Sequence, residues 1–422
     1  MQRPRPLAAR HDLFILNLEN IFMRLRTFES FWLIKNGLLY SYPSLQNNID
    51  TQITVVGGGI TGALISHALL EEGYEVLLID KRDIGQGSSS ATTSMLQYEI
   101  DLPLVKLARL IGEDSAAACY RAGIEAINHL DHLIINNHID CGFQIKKSLY
   151  LSHSKKAASD LHKEFEIRNK HHLGVAWLNK EQVEATYEIK SFGAISSDCG
   201  ASIDAYKLAH ELIHLNVKRG MQVYDQTEIK QFRLNLDRPE IETAGGYKVT
   251  CDKVIFCTGF EATAMLKEKV ADLFFTYACV SETGIQLPPA LEDCLVWDTD
   301  EPYTYMRCTD DGRLLVGGED ASNKFPFLQQ KIKERKQAKL VKKLLKILPN
   351  VNFIPDFSWG GTFGTTKDGL PYIGKSPEYE NALFVLGFGG NGITFSVQAM
   401  TIIVNMMQGI EHPLAPYYRF GR

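Results

Sequence analysis

The sequence lacks any run of 18 consecutive apolar residues, so we expect no membrane-spanning helix. Its formal net charge of −5 is small for 422 residues and gives no general case for a nucleic-acid partner. Its eight cysteines form no C-x-x-C pair, which argues against structural zinc and for reduced thiols. We therefore expect a cytoplasmic protein without a bound metal.

The length and composition are typical of a globular protein with two domains. Of the 422 residues, 45% are hydrophobic and 23% are charged, which is enough apolar material for a large core. Residues 1–22 start with basic residues, but Asp12 and Glu19 interrupt their apolar part, so the pattern is not that of a signal peptide. A more regular stretch begins at Met23. We expect Met23 to be the natural start, within an N-terminal segment that ends at residue 49.

The stretch from Ile53 to Asp80 predicts a nucleotide-binding unit. It reads ITVVGGGITGALISHALLEEGYEVLLID: an apolar strand, the pattern G-x-G-x-x-G, a helix, a second strand and an acid. The glycines allow a tight turn, close approach to a pyrophosphate and close packing of helix on strand, and the acid accepts hydrogen bonds from a ribose. The helix N-terminus adds unpaired N–H groups for the phosphates. The candidate residues are Gly57, Gly59, Ile60, Thr61, Gly62 and Asp80.

A run of small hydroxyl residues follows this unit. The sequence from Gly87 to Thr93 reads GSSSATT, which alone would be typical of a polar loop. Its side chains are small hydrogen-bond donors. Because the run comes directly after a nucleotide-binding unit, we favour contact with a pyrophosphate or a ribityl chain.

A second G-x-G-x-x-G lies near the C-terminal end of the sequence. Gly387 to Gly392 reads GFGGNG, between an apolar strand and an apolar helix. A separate NAD site is one interpretation, but the residues that follow lack the second strand and the acid that such a unit needs. We favour the other interpretation, a helix N-terminus directed at the ligand of the first unit.

Two further patterns favour structural interpretations over functional ones. His210-Glu-Leu-Ile-His214 is a formal H-E-x-x-H zinc-protease motif, but no third ligand follows at a suitable spacing. Residues 331–346 contain eight basic residues and one acidic residue, which predicts a solvated helix face. A membrane-surface role for this helix is the alternative.

Taken in order, these segments resemble the D-amino-acid oxidase (DAO) superfamily of flavin-dependent enzymes, which includes glycine oxidase and sarcosine oxidase. The resemblance runs from about residue 50 to about residue 410. It rests on the first nucleotide-binding unit, the GSSSATT run, CTG at 257–259, RLLVGGED at 313–320, and DGLPYIG with GFGGNG near the end. It implies an α/β protein with a discontinuous Rossmann-like FAD-binding domain and an inserted mixed-sheet substrate domain. The implied boundaries are 50–137, 200–262 and 355–422 for the first domain, and 138–199 and 263–354 for the second.

The resemblance also implies how the cofactor, non-covalent FAD, is held. The first glycine turn would hold the pyrophosphate and Asp80 the adenosine ribose. The N-terminus of the C-terminal helix would face the pyrimidine edge of the flavin, where its dipole stabilises the negative charge of the reduced form. The other residues implied are Lys81, Ser88, Ser89, Ala91, Thr92, Ile229, Thr258, Gly259, Gly389, Gly390, Asn391, Gly392 and Ile393.

For the chemistry, the resemblance implies that a small amine or amino acid is oxidised by hydride transfer to flavin N5, with oxygen or another electron acceptor. Arg307 is the candidate for a bidentate clamp on a substrate carboxylate, with a surface salt bridge as the rival interpretation. Tyr305 and Gln97 are further candidates for the catalytic end. Two other functions stay open: oxidation of an alcohol or hydroxy acid, as in glycerol-phosphate dehydrogenases, and a non-catalytic flavoprotein subunit. The sequence does not separate an oxidase from a dehydrogenase.

Overall fold

The computed structural model describes residues 14–15, 25–27, 30–322, 329–387 and 389–422 of the chain. Apart from the short strand Phe14–Ile15, the expectation about residues 1–22 lies outside these described residues. No helix among them is both long enough and apolar enough to cross a membrane.

Within the described residues the chain forms twenty strands, eleven α-helices and two short 3₁₀ helices. In chain order the strands are β1 (Phe14–Ile15), β2 (Ile49–Val56), β3 (Val76–Ile79), β4 (Met95–Leu96), β5 (Gln144–Ile145), β6 (Lys147–Ser152), β7 (Val175–Leu178), β8 (Gly193–Ser197), β9 (Ala201–Ser202), β10 (Gln222–Tyr224), β11 (Ile229–Arg233), β12 (Glu240–Thr243), β13 (Lys248–Phe256), β14 (Asp272–Ser281), β15 (Cys294–Asp298), β16 (Thr304–Cys308), β17 (Leu314–Ser322), β18 (Pro355–Thr365), β19 (Tyr372–Lys375) and β20 (Ala382–Leu386). The helices are α1 (Phe31–Asn36), α2 (Ile60–Glu71), α3 (Leu104–Ile111), α4 (Glu113–Asn136), α5 (Lys155–Lys170), α6 (Lys180–Tyr187), α7 (Ala205–Lys218), α8 (Pro289–Glu292), α9 (Gln329–Ile347), α10 (Gly392–Gln408) and α11 (Ala415–Tyr418).

The first large sheet has the nucleotide-binding unit near its centre. Its strand order is β1-β11-β12-β13-β2-β3-β10, and β20 pairs with both β13 and β19. β2 runs parallel to its neighbours β3 and β13 and is covered on both faces, which explains its apolar run from Ile53 to Val56. α2 and α10 pack against each other on one face of the sheet. The hydroxyls of Thr61, in the first turn of α2, and Ser396, in the second turn of α10, are 2.8 Å apart, so the two N-terminal ends lie side by side.

The second large sheet is mixed and forms the other wall of the site. Its order is β18-β14-β17-β16-β15-β6-β8-β7, and only the β15–β6 pair is parallel among these described strands. Side chains alternate along each strand. One set, which includes Phe275 and Met306, packs in a core with Leu340 and Leu344 of α9. The alternate set faces the first sheet across a cavity.

One domain boundary expected from the sequence is displaced in the structure. The sequence division places residues 355–422 in the nucleotide-binding domain, but β18 pairs with β14 of the second sheet along its length. The chain returns to the first sheet at β19 and β20. The sequence pattern of a strand is the same whichever sheet the strand joins. The local pattern therefore does not show that β18 belongs to the second sheet. The rest of the division stays a proposal.

The basic helix α9 is attached to the second sheet through one carboxylate. Glu319 of β17 lies 2.9 Å from the Nζ atom of Lys343, 3.3 Å from that of Lys336 and 3.6 Å from that of Lys339. Three of the eight basic residues are therefore directed at the protein itself. This arrangement favours the structural interpretation of the helix.

A buried ion network fastens α5 to the start of α3. Arg168 is 1% exposed; its Nε donates to Glu164 at 2.8 Å and its Nη1 lies 3.4 Å from Glu99. Glu164 also accepts from the backbone N–H groups of Leu104 and Val105, at 2.8 and 2.9 Å. One guanidinium thus compensates two buried carboxylates.

We expect Arg168→Met to destabilise the protein by about 3–5 kcal/mol, because it leaves both carboxylates buried without their counter-charge. Urea unfolding followed by circular dichroism measures the change. In the double variant Arg168→Met/Glu164→Gln one of the two charges is also removed, and part of the loss should be recovered. An unchanged unfolding midpoint in the single variant would contradict the proposed network.

Candidate functional site

A cavity of about 1320 Å³ lies between the two large sheets. Sites for small ligands usually enclose roughly 300–1000 Å³, so this cavity has room for a dinucleotide and a second molecule. One wall is made by the carboxyl ends of β2, β3 and β13 and by the N-termini of α2 and α10. The opposite wall is made by side chains of β6 and β14–β18.

The turn from β2 into α2 requires glycine at two positions. Gly57 has a φ of 107°, which L side chains rarely adopt, and a Cβ there would lie 2.6 Å from the carbonyl oxygen of Cys257. A Cβ at Gly62 would overlap the carbonyl oxygen of Gly57 and push α2 away from β2. Gly59 differs, because it lines the cavity and a Cβ there would meet only the Ser89 hydroxyl, at 3.0 Å. Gly59 therefore leaves space beside the N-terminus of α2, while the other two glycines hold the turn together.

Asp80, at the end of β3, is positioned by backbone donors of this turn. Its Oδ2 accepts from the N–H of Gly58 at 2.7 Å, and its Oδ1 accepts from the N–H of Arg82 at 2.8 Å. Burial raises the pKa of the Asp80 carboxyl, although these two hydrogen bonds act in the opposite direction. The carboxylate lines the cavity and has further lone pairs for a ligand hydroxyl.

Hydroxyl groups complete this side of the cavity. Ser89 Oγ accepts from the backbone N–H of Ile60, at 2.9 Å, at the start of α2. Thr258 Oγ1, just after β13, is buried and has no hydrogen-bond partner among the described residues. A buried polar atom without a partner costs free energy, so this hydroxyl fits a site completed by a polar ligand.

The glycine-rich loop before α10 also reaches the cavity. Gly389, Gly390 and Gly392 line it, and the N–H of Gly390 donates to the carboxylate of Asp101 at 2.9 and 3.1 Å. Asp101 is exposed to the cavity, and desolvation by the surrounding protein raises its pKa to about 6. The positive end of the α10 dipole therefore meets a carboxyl that titrates near neutrality.

Asn391 has a different role from its glycine neighbours. Its Nδ2 donates to the carbonyl oxygens of Gln97 and Glu99, at 2.9 and 2.7 Å. It therefore points away from the cavity and fixes the backbone segment that leads to Asp101. Gln97 itself lines the cavity.

Eight aromatic residues of the second sheet and its loops line the cavity among the described residues, and four of them form what we call the aromatic wall: Tyr150, Trp297, Tyr303 and Tyr305. The rings of Tyr150 and Trp297 are stacked, with centroids 5.6 Å apart. Those of Tyr303 and Tyr305 are also 5.6 Å apart. Tyr305 covers Gly317 on the neighbouring strand, where a Cβ would overlap its ring.

Arg307 does not lie at the cavity, which corrects its assignment as a carboxylate clamp. It is 2% exposed, and its guanidinium donates to the carbonyl oxygens of Thr93 (2.7 Å), Cys308 (3.0 Å) and Ile203 (3.1 Å). Burial lowers its pKa to about 10. The guanidinium joins three backbone segments, so its partner is neither a substrate carboxylate nor a surface acid.

Comparison with known proteins identifies the family. The family model described as FAD dependent oxidoreductase (DAO) matches residues 52–401. The chain belongs to this family. Glycine oxidase of Geobacillus kaustophilus is 25% identical over 377 residues, covering 86% of this chain and 95% of that protein. γ-Glutamylputrescine oxidoreductase of Escherichia coli (strain K12) is 24% identical over 390 residues, covering 87% of this chain and 86% of that protein. The crystal structure of the Geobacillus kaustophilus glycine oxidase superposes with a TM-score of 0.75 at 21% identity, covering 89% of this chain and 100% of that chain.

The cofactor of this FAD-dependent oxidoreductase is therefore FAD. The donor set fits it: a glycine turn, a fixed carboxylate, an unpartnered hydroxyl and a helix N-terminus surround one cavity. Most of the sequence candidates meet there, namely Gly57, Gly59, Ile60, Thr61, Asp80, Lys81, Ser88, Ser89, Ala91, Thr92, Gln97, Ile229, Thr258, Gly259, Tyr305, Gly389, Gly390, Gly392 and Ile393. Gly62, Asn391 and Arg307 do not line the cavity and act through packing or backbone hydrogen bonds instead.

Sequence reasoning missed several residues of the second wall. Asp320 lines the cavity. The GGED segment that contains it supported the family resemblance but predicted no role for this residue. Tyr303 shares a strand face with Tyr305, so the two-residue spacing was a usable signal. Asp101 had no local signal, because its importance depends on contact with Gly390, far away in the sequence.

The H-E-x-x-H motif has no metal-site geometry in the structure. The His210 ring packs edge-on against Tyr206, and the His214 ring stacks on Tyr40 with centroids 4.1 Å apart. Burial lowers the pKa of His210 to about 4. Both histidines belong to the packing of α7.

We expect Gly59→Val to fold but to lose FAD, because the added side chain enters the space beside the α2 N-terminus. Gly62→Ala, a smaller change, should instead prevent stable folding, since its Cβ overlaps Gly57. Circular dichroism and the flavin released by acid precipitation measure the two effects separately. Full flavin content in folded Gly59→Val would show that the glycine turn does not hold the cofactor.

We expect Asp101→Asn to stabilise the FAD-free protein at high pH only. The pKa of Asp101 is raised from its ordinary value of 3.8 to about 6 in the fold. Below both values the carboxyl is neutral in the folded and unfolded states, whereas above about pH 6 the fold carries the cost of its charge. Thermal midpoints of wild type and variant at about pH 5 and about pH 8 test this. A larger difference at the lower pH would contradict it.

Proposed function

We propose that this flavoprotein oxidises a small amine or amino acid. The observation that carries the proposal is one cavity between two different walls. The glycine turn, the carboxylate of Asp80 and the helix N-termini form a nucleotide cradle on one wall, and aromatic and polar side chains form the other. The relatives add support, since their names describe a glycine oxidase and a γ-glutamylputrescine oxidoreductase. Oxygen or another electron acceptor would complete the turnover.

FAD, when bound, supplies a two-electron acceptor for a hydride. We propose that Gly57, Gly59 and Ser89 hold its pyrophosphate and that Asp80 holds its ribose. The α10 N-terminus would lie at the flavin end, where its dipole favours negative charge.

The protein's own contribution at the catalytic end is orientation and exclusion of water. The aromatic wall has little freedom to move, because its rings pack in pairs and Tyr305 rests on Gly317. A rigid aromatic surface of this kind holds a small substrate in one pose. Asp101, whose pKa is about 6, is able to hold or release a proton near neutral pH.

We further propose that FAD is bound non-covalently. No histidine among the described residues lines the cavity, and Cys257 is the one cysteine of that part of the chain that does. Cys257 is buried at the end of β13, and burial raises the pKa of its thiol, which disfavours the reactive thiolate.

The glycerol-phosphate-like alternative gains no support from the basic helix α9. α9 packs on the opposite face of the second sheet, and none of its described basic residues lines the cavity. The described cations that do line the cavity come from the end of β3, from α3 and from α5.

The proposal is tested by the anaerobic absorbance spectrum of the purified protein with a panel of amino acids, primary amines and N-methyl amines. We expect at least one of these compounds to bleach the oxidised-flavin bands. Readmission of air then separates an oxidase, whose bands return, from a dehydrogenase, whose bands do not. Bleaching by hydroxy acids or alcohols alone would overturn the proposal, as would a flavin that no compound reduces.

A further inference from the structure

The charges that line the cavity are divided unevenly between its walls. Among the described residues, the lining cations come from the end of β3, from α3 and from α5: Lys81, Arg82, Lys106, Arg109, Lys163 and Arg168. The second sheet and its loops contribute no lining cation in this part of the chain, but they contribute the carboxylates Asp298, Asp300, Glu301 and Asp320. Arg168 is already compensated by Glu164 and Glu99. The substrate wall is therefore acidic.

A β-bulge directs Asp320 to the cavity. Between regular pairs on either side, Glu319 and Asp320 of β17 together oppose the single residue Thr276 of β14. Glu319 has a φ of 59°, a left-handed conformation that is uncommon for a residue other than glycine. The bulge separates two successive carboxylates: Glu319 binds the lysines of α9, and Asp320 lines the cavity. Strained backbone of this kind is often found at functional sites.

Asp320 lacks a partner for one of its oxygens. Its Oδ1 is buried and makes no hydrogen bond to any residue that the structure describes. Burial raises the pKa of Asp320, although a hydrogen bond with Thr276 and the charges of Lys336 and Lys343 act in the opposite direction. A carboxylate in this state is stabilised by a cation that enters the cavity.

Two aromatic rings and a second carboxylate lie close to Asp320. Asp101, Tyr303 and Tyr305 line the same cavity as Asp320. Burial, with smaller contributions from the charges of Asp101 and Asp320, raises the pKa of Tyr303. The charge of Asp320 also acts on Tyr305. Carboxylates combined with aromatic faces are the groups that bind ammonium ions, by ion pairing and by cation–π attraction.

We propose that Asp320, with Asp101, Tyr303 and Tyr305, binds the ammonium group of a cationic amine substrate that carries no carboxylate beside the amine. This inference rests on the proposed function and narrows it from amines and amino acids to cationic amines. An α-carboxylate would be held next to two acids, without a free cation on the substrate wall, and would be repelled. Arg307, the arginine expected to bind such a carboxylate, is buried among backbone carbonyls and does not line the cavity.

The first test uses non-oxidisable probes on the FAD-loaded wild-type protein. Isothermal titration calorimetry compares tetramethylammonium, which binds only as a cation, with acetate and with the neutral tert-butanol. We expect tetramethylammonium to bind about tenfold more tightly than either of the others. Equal binding of the cation and tert-butanol, or tighter binding of acetate, would overturn the proposal.

The second test removes, one at a time, the charges of the two bulge residues, Asp320 and Glu319. Asp320→Asn should weaken tetramethylammonium binding by about tenfold or more, whereas the matched neighbour Glu319→Gln should change it by less than about twofold. If both variants lose the same affinity for tetramethylammonium, the loss comes from a change in the fold of β17, and the proposed ammonium site is refuted. If Asp320→Asn does not fold, the wild-type probe comparison still decides.

The reduction panel separates this inference from the proposed function. Bleaching by α-amino acids, without binding of tetramethylammonium, would refute the ammonium site and leave the proposed function intact. Tetramethylammonium binding that depends on Asp320, in a protein whose flavin no amine or amino acid reduces, would support the site and refute the proposed function.

Discussion

The contact between α2 and the carbonyl oxygen of Gly57 is the constraint on which the rest of the site depends. Because Gly62 has no side chain, α2 can approach the end of β2 closely enough for its first N–H groups to reach the cavity. Asp80 then reaches the N–H of Gly58 from the neighbouring strand. α10 packs on α2, and the Thr61–Ser396 contact aligns their N-termini. A side chain at one position would therefore disturb the cradle and the second helix together.

The second sheet forms the opposite wall of the cavity. α9 covers the sheet's outer face, through apolar contacts and through ion pairs between its lysines and Glu319. That packing fixes β17, including the bulge that a regular strand would not contain. The inner face is then free to carry groups that are costly to bury, such as Asp320. Stability on one face of the sheet thus supports reactivity on the other.

The sequence predicted the turn between β2 and α2 and its place beside Asp80 well, because the parts of this unit are local. Strand, glycines, helix and acid follow one another from Ile53 to Asp80, and backbone geometry alone brings them together. The sequence also predicted that Gly389, Gly390 and Gly392 lie at the same cavity, because a helix N-terminus after a parallel strand points to the carboxyl edge of the sheet. The residues Thr258 and Ile229 required the family pattern as well, since no short-range rule marks them.

Where the sequence failed, the deciding contacts were distant. The guanidinium of Arg307 is suited to binding a carboxylate, but it donates hydrogen bonds to the backbone carbonyl oxygens of Thr93 and Ile203 instead. β18 belongs to the second sheet because its hydrogen-bond partner is β14, which no local pattern shows. The charge of the substrate wall likewise depends on which face of each strand turns inward.

By itself, the sequence determined a flavin-binding α/β protein and the residues of its nucleotide cradle, because those properties follow from backbone conformation over a few consecutive residues. Only the tertiary structure decided which charged side chains face the substrate. That choice depends on strand pairing, on one bulge, and on whether a buried charge finds a partner elsewhere in the chain. Arg307 has such partners and does not line the cavity, whereas one oxygen of Asp320 has none among the described residues.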